Sequence, residues 1–116
     1  MPRVALVSSA EAREHDTDLP LITAALGSLG VGSDIIDWDT AAADWQQFDA
    51  AVVRSPWDYH RRYDEFLAWL DVVSAATRLF NDEEIIRWNT DKTYLTELVD
   101  AGVPVIPTTF IAGAQA

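Results

Sequence analysis

Residues 49–59 read Asp49-Ala50-Ala51-Val52-Val53-Arg54-Ser55-Pro56-Trp57-Asp58-Tyr59, an apolar run that ends abruptly in a charged, proline-containing loop. A short continuous apolar stretch bounded by turn residues is the profile of a strand buried on both faces of a parallel sheet. Arg3–Val7, between Pro2 and Ser8-Ser9, has the same profile, and Ser33–Asp37 carries Ile35 and Ile36 as another strand. Leu79-Phe80-Asn81 supplies a fourth. Helical patterns lie between them. Asp18 is placed to cap a helix whose apolar positions Leu19, Ile22, Leu26 and Leu29 follow a three-four-three spacing, with Pro20 in its first turn and Gly30 past its end. Residues 40–48 predict a short helix or turn. Tyr63–Ala76 puts Phe66, Leu67, Leu70 and Val73 on one side and Asp64, Glu65 and Asp71 elsewhere, an amphipathic helix with an acidic outer face. Asn81 and Asp82 can cap a short helix through Trp88. Asn89 or Thr90 then opens another, bearing Leu95, Leu98 and Val99 and stopping at Gly102 with Pro104 beyond. Val105–Thr108 is a last extended piece. This alternation predicts an α/β chain, Rossmann-like and three-layered around a short parallel sheet of four to five strands, with ligands at the carboxyl ends of the strands.

Composition narrows the partners. The formal charge of −11 over 116 residues repels phosphate backbones and anionic lipid, so neither nucleic acid nor a membrane surface is an expected partner. An anionic ligand needs a local exception, and Arg54, Arg61 and Arg62, with His60 beside them, put three of the eight basic residues into one short stretch. Cysteine is absent, which excludes disulfides and thiolate metal sites, and the two histidines do not make a zinc site by themselves. No apolar run approaches the length of a membrane helix and no basic segment leads a hydrophobic one, so the expected compartment is the cytoplasm.

The loop after the first strand, Ser8-Ser9-Ala10-Glu11, lacks the glycines that let a pyrophosphate approach a helix amino terminus, and no Gly-Lys-Ser/Thr ending occurs. A receiver domain would need an acidic pair after the first strand and an aspartate closing the third, where this chain has Arg54-Ser55. The loop from Arg54 to Tyr59 leaves a buried strand at its carboxyl end, where α/β folds collect binding groups. Read as a substrate loop, it offers Arg54 to fork onto a carboxylate, Asp58 to hold an ammonium, and Trp57 and Tyr59 as walls, with Ser55 between them. Read as structure, Pro56 sets a turn, Trp57 and Tyr59 fill core, and Arg54 pairs with an acid. No catalytic nucleophile or metal-ligating cluster is in evidence.

Taken together, Arg54 through Tyr59, Phe66-Leu67-Ala68-Trp69, Asn81, Trp88-Asn89-Thr90-Asp91-Lys92 and Gly102-Val103-Pro104-Val105-Ile106-Pro107-Thr108 resemble the start of an ATP-grasp ligase. The similarity is greatest to the branch that includes the cycloserine-forming O-ureido-serine cyclo-ligase, and more distant to prokaryotic glutathione synthetases and other carboxylate-amine ligases. The Asp16–Leu26 helix and Trp38-Asp39 fit the same pattern. The resemblance implies a pre-ATP-grasp domain over residues 1–88 that helps hold the acceptor substrate. Residues 89–116 would then be a linker helix and first strand leading into two lobes, absent from this sequence, that grip ATP and magnesium. It also implies that Lys92, the only lysine, reaches the ATP phosphates. A lysine in the first turn of a helix opposes the helix dipole, and a bound anion would relieve that; the plain alternative is an exposed lysine paired with Asp91 or a neighbour.

The expected function is therefore the substrate-side domain of a carbon–nitrogen bond-forming ligase. It acts through an acyl phosphate on a small amino acid-like substrate and is inactive alone, because the family's magnesium carboxylates, second ATP lysine and adenine hinge have no counterpart before Ala116. Its partners would be the missing lobes, the substrate, and a second copy if it dimerises. A non-catalytic binding or dimerisation module of the same fold is the alternative class, and a stand-alone flavodoxin-like enzyme is the third.

Overall fold

The computed structural model describes residues 1–110. The chain divides into two compact units, Met1–Glu83 and a second from Glu84 onward.

The first unit is a four-stranded parallel sheet of order β2-β1-β3-β4, built from β1 (Arg3–Ser8), β2 (Gly32–Asp37), β3 (Ala50–Val53) and β4 (Arg78–Phe80). Leu6 stands opposite Ile35 on one side and Val52 on the other. As a central strand flanked on both sides, β1 buries Ala5, Leu6, Val7 and Ser8 completely or nearly so. The connections β1–α1–β2 and β3–α2–β4 run in opposite directions along the sheet. Right-handed crossovers therefore put α1 (Leu19–Ser28) and α2 (Tyr63–Ala76) on opposite faces, giving the three layers. The point where strand order reverses lies between β1 and β3.

The helices depart from the expected pattern in instructive ways. Asp18 sits at the start of α1 but makes no side-chain cap; its carboxylate is drawn to an arginine instead. The helix ends at Ser28, so Leu29 leaves the apolar stripe and is 77% exposed. Gly30 takes φ +76°, the left-handed turn that closes the helix while Val31 N–H donates back to the Leu26 carbonyl. On α2, Phe66, Trp69, Leu70 and Val73 are buried. They meet residues 38–48, where a single 3-10 turn (Trp45–Gln47) forms, opened by the Asp44 carboxylate accepting from Gln46 N–H.

An aromatic cluster fills this face. Trp38 meets Phe66 edge-on at 5.4 Å, Trp45 meets Trp69 at 5.6 Å, and Phe66 stacks on Trp69 at 5.4 Å. Three of the five tryptophans, Trp38, Trp45 and Trp69, are thus core, while Trp57 and Trp88 remain substantially exposed.

In the second unit α3 (Glu83–Thr90) runs two residues past Trp88, and α4 (Tyr94–Asp100) begins only after Thr93. Asn89 and Thr90 therefore close one helix and do not open the next. Residues 103–110 carry no strand. An extended segment becomes a strand only when a neighbouring strand takes its hydrogen bonds; Val103 N–H bonds the Leu98 carbonyl of α4, and among the described residues no strand pairs with the segment. Among those residues no helix is long and apolar enough to cross a membrane.

Trp38 and Trp69 are similarly buried but differ in polar satisfaction. Trp38 Nε1 donates to Asp58 at 3.0 Å, whereas Trp69 Nε1 has no hydrogen-bond partner among the described residues. Exchanging Trp38 for Phe should therefore cost about 1–2 kcal/mol more than exchanging Trp69 for Phe, since only the first exchange abandons a satisfied donor. Denaturant unfolding of the two variants measures the difference, and equal losses would contradict it.

Candidate functional site

The strand reversal between β1 and β3 gathers polar groups at the carboxyl edge of the sheet, where such folds bind ligands. Val7 carbonyl accepts from both Arg54 and Ser55 N–H at 3.0 Å, which turns the chain sharply out of β3. Ser55, fully buried, places its hydroxyl 3.0 Å from that of Ser8, and its carbonyl accepts from the Ser9 hydroxyl at 3.0 Å. Ser9 Oγ in turn accepts from Ala12 N–H, starting the turn that carries the chain to Asp16. The serines that replace a glycine-rich phosphate loop thus knit two strand ends together.

Arg54 is held by this knot. Its Nε donates to Asp16 Oδ2 at 3.2 Å, and its Nη2 reaches Asp16 Oδ1 at 3.5 Å and Asp18 Oδ2 at 2.8 Å. The Asp16 side chain is only 3% exposed. Burial opposes its ionisation, but hydrogen bonds from the Ser55 hydroxyl, Arg54 and Asp18 N–H, with the Arg54 charge, outweigh burial and hold the carboxyl below its ordinary 3.8. Hydrogen bonding to Asp16, then its charge, raises the pKa of Arg54.

The rest of the loop is tied as firmly. Tyr59 N–H donates to the Pro56 carbonyl, closing the turn before the short helix Tyr59–Arg61. The Tyr59 ring lies 5.2 Å from Phe66, while Trp57 is 44% exposed and takes no part in the core. Asp58 accepts from Trp38 Nε1 and lies 3.7 Å from Arg62. Arg62 also bonds Asp39 at 2.6 Å and Glu65 at 2.5 Å, and stacks 4.8 Å over Trp38. Those bonds, Glu65 first, raise its pKa.

The structure thus brings Arg54, Ser55, Asp58 and Tyr59 to one edge and leaves Trp57 at its exposed rim. It also adds Ser8, Ser9, Asp16, Asp18 and Trp38, which were not singled out as site residues, and Arg62 from the basic stretch. A signal for the two aspartates was available: they lie in the segment between β1 and α1, which opens on the same edge. The expected basic exception does not materialise as free charge. Arg54 is paired as above, Arg61 with Glu11, and Arg62 with three acids. In so acidic a chain every arginine of the stretch finds carboxylates within reach.

Lys92 belongs to the second unit. It precedes α4 and does not lie in its first turn; its Nζ donates to the Asn89 carbonyl at the end of α3, at 3.1 Å, and sits 5.6 Å from the centre of the Tyr94 ring. Lys92 lies between the two helices, just before Thr93 at the start of α4, and its ammonium turns back to the carboxyl end of α3, where a cation is favoured. Asp91 spends its carboxylate on Thr93 N–H and hydroxyl. Among the described residues no three acidic or histidine side chains converge to hold a metal.

Asp16 carries a stability signature. A carboxyl whose folded pKa is depressed contributes stability that is present above the ordinary 3.8 and is lost as pH falls from there through the folded value. Replacing Asp16 by Asn should cost about 1.5–3 kcal/mol at neutral pH, the range for hydrogen bonds to charged groups, and flatten the acid limb of the stability curve below pH ~4. Chemical unfolding from pH 7 to pH 3 tests both, and an unchanged acid limb would refute the assignment.

Comparison with known proteins agrees with this architecture. The family model for the D-cycloserine synthetase DcsG N-terminal domain matches residues 4–81. The chain is 42% identical over 109 residues to the cycloserine biosynthesis protein DcsG of Streptomyces lavendulae, an alignment covering 94% of this chain and 36% of that protein. It matches the crystal structure of D-cycloserine synthetase DcsG with a TM-score of 0.86 at 42% identity, over 92% of this chain and 36% of that one. The chain thus spans about a third of the length of these relatives. A family match that runs from the second residue of β1 to the end of β4, with the fold reproduced, establishes that this chain belongs to the DcsG N-terminal domain family.

Proposed function

We propose that the full-length protein is a carbon–nitrogen bond-forming ligase of the ATP-grasp superfamily and that this chain is its substrate-side domain. The substrate is a small amino acid-like molecule whose carboxylate is activated through an acyl phosphate, and the product is a ring of the kind named in D-cycloserine synthetase. The observation that carries the reading is the family match across residues 4–81, which includes the whole 54–59 loop at the carboxyl edge of the sheet.

In this reading Arg54 meets the substrate carboxylate, Ser55 fixes the loop, Asp58 keeps acceptor capacity for an ammonium, and Trp57 and Tyr59 flank the ligand. ATP, when bound, supplies the phosphoryl group that makes the carboxylate a better electrophile. Lys92 fits a phosphate contact, being exposed with its Nζ engaged by one carbonyl. Magnesium does not fit the described residues, whose edge carboxylates are spent on arginines. In this reading magnesium is held by the part of the full-length protein that this chain does not span. A cytoplasmic location goes with the use of ATP.

The full-length protein, given ATP, magnesium and a panel of small amino acids and O-substituted serines, should release ADP in a substrate-dependent way. No release across the panel would reject the reading. Arg54→Lys keeps the charge but loses the planar fork, and should lower kcat/KM for the amino acid by at least about tenfold while leaving the KM for ATP in place.

A further inference from the structure

The two carboxylates on Arg54 are not equivalent. Asp16 is anchored: its side chain is 3% exposed, it grips the Nε/Nη2 edge of the guanidinium, and Asp18 N–H donates back to it at 3.2 Å. Asp18 is loose: its side chain is 59% exposed and touches the guanidinium with one oxygen, at Nη2. It does not cap α1, although it stands at the capping position. Arg54 itself keeps 40% of its side chain exposed, and among the described residues its Nη1 has no partner. The outward edge of a guanidinium, formed by Nη1 and Nη2, is where a planar carboxylate forks. Asp18 engages one of the two nitrogens of that edge, at 2.8 Å.

We propose that Asp18 is a placeholder for the carboxylate of the substrate: an incoming amino acid displaces it from Arg54, while Asp16 stays as the positioning residue that keeps the guanidinium aimed. This deepens the reading of the 54–59 loop and rests on it. The exchange is cheap, because an exposed ion pair contributes little and Asp18 returns to water when released. Affinity for the substrate is set by the competition between two carboxylates for one edge, so Asp18 acts as a built-in competitor that lowers it. Asp16 acts in the opposite sense. Without it, Arg54 loses the partner that orders its side chain, and a flexible arginine forfeits entropy on binding.

The test is calorimetric titration of the full-length protein with D-serine, a small amino acid carrying the carboxylate in question. Asp18→Ala should tighten binding by about two- to fivefold, the range equivalent to an exposed ion pair. Asp16→Asn should weaken it, and Asp49→Ala, which removes an acid preceding β3 at the opposite edge of the sheet, should leave it unmoved. Unchanged or weaker binding by Asp18→Ala overturns the proposal, as does equal tightening by Asp49→Ala, which would reduce the effect to net charge. Failure of every variant to bind D-serine overturns it as well. The ligase reading is judged separately by ADP release. Tighter binding by Asp18→Ala in a protein that never turns over ATP would uphold the exchange and remove the ligase. Turnover with unmoved affinity would do the reverse.

Discussion

Two amides, those of Arg54 and Ser55, share one acceptor, the carbonyl of Val7, and the geometry of the carboxyl edge follows from that junction. A parallel strand leaving a buried sheet must satisfy its last backbone groups before it turns. Here the satisfaction comes from the neighbouring strand's own end: the Val7 carbonyl accepts from both N–H groups, and the Ser9 hydroxyl donates to the Ser55 carbonyl. The side chain of Arg54 is thereby launched over the segment that joins β1 to α1. Were β1 and β3 not neighbours, Asp16 and Arg54, 38 residues apart in the chain, would have no reason to meet.

Electrostatics at that edge depends on burial more than on count. Asp16 is desolvated but more than compensated by donors, and stays ionised. Asp18, Glu11 and Glu65 are solvent-facing partners whose pairings with arginines are individually weak. Such an edge has one rigid ion pair and several exchangeable ones. That combination suits a binding surface, since rigidity orients the arginine while exchangeable partners can yield to a ligand.

The aromatic cluster beneath supports the same loop from the other side. Trp38 is both a core ring against Phe66 and Trp69 and a hydrogen-bond donor to Asp58, and Arg62 stacks on its face. One indole therefore couples the exit of β2 to the loop that follows β3. A large amphipathic side chain can serve in this way because its apolar body is buried while its N–H still finds an acceptor.

The strands, the two helices of the first unit and the sheet's parallel character were legible in the sequence, because short apolar runs and helical periodicity are local properties of a chain. The loop from Arg54 through Tyr59, read as leaving a buried strand at its carboxyl end, does lie at that edge of the sheet. What the sequence could not specify was which charges pair. It offered Asp18 as a helix cap, Arg54 either as a fork for a substrate or as the partner of an unspecified acid, and Lys92 either as a charge in a first helical turn or as an exposed lysine paired nearby. The strand order β2-β1-β3-β4 brought Asp16 and Asp18 onto Arg54, and the late start of α4 left Lys92 between two helices, its ammonium on the carboxyl end of α3. Local periodicity decides which elements form; which charges meet is decided by topology, since an ion pair requires proximity in space and the chain alone does not specify it.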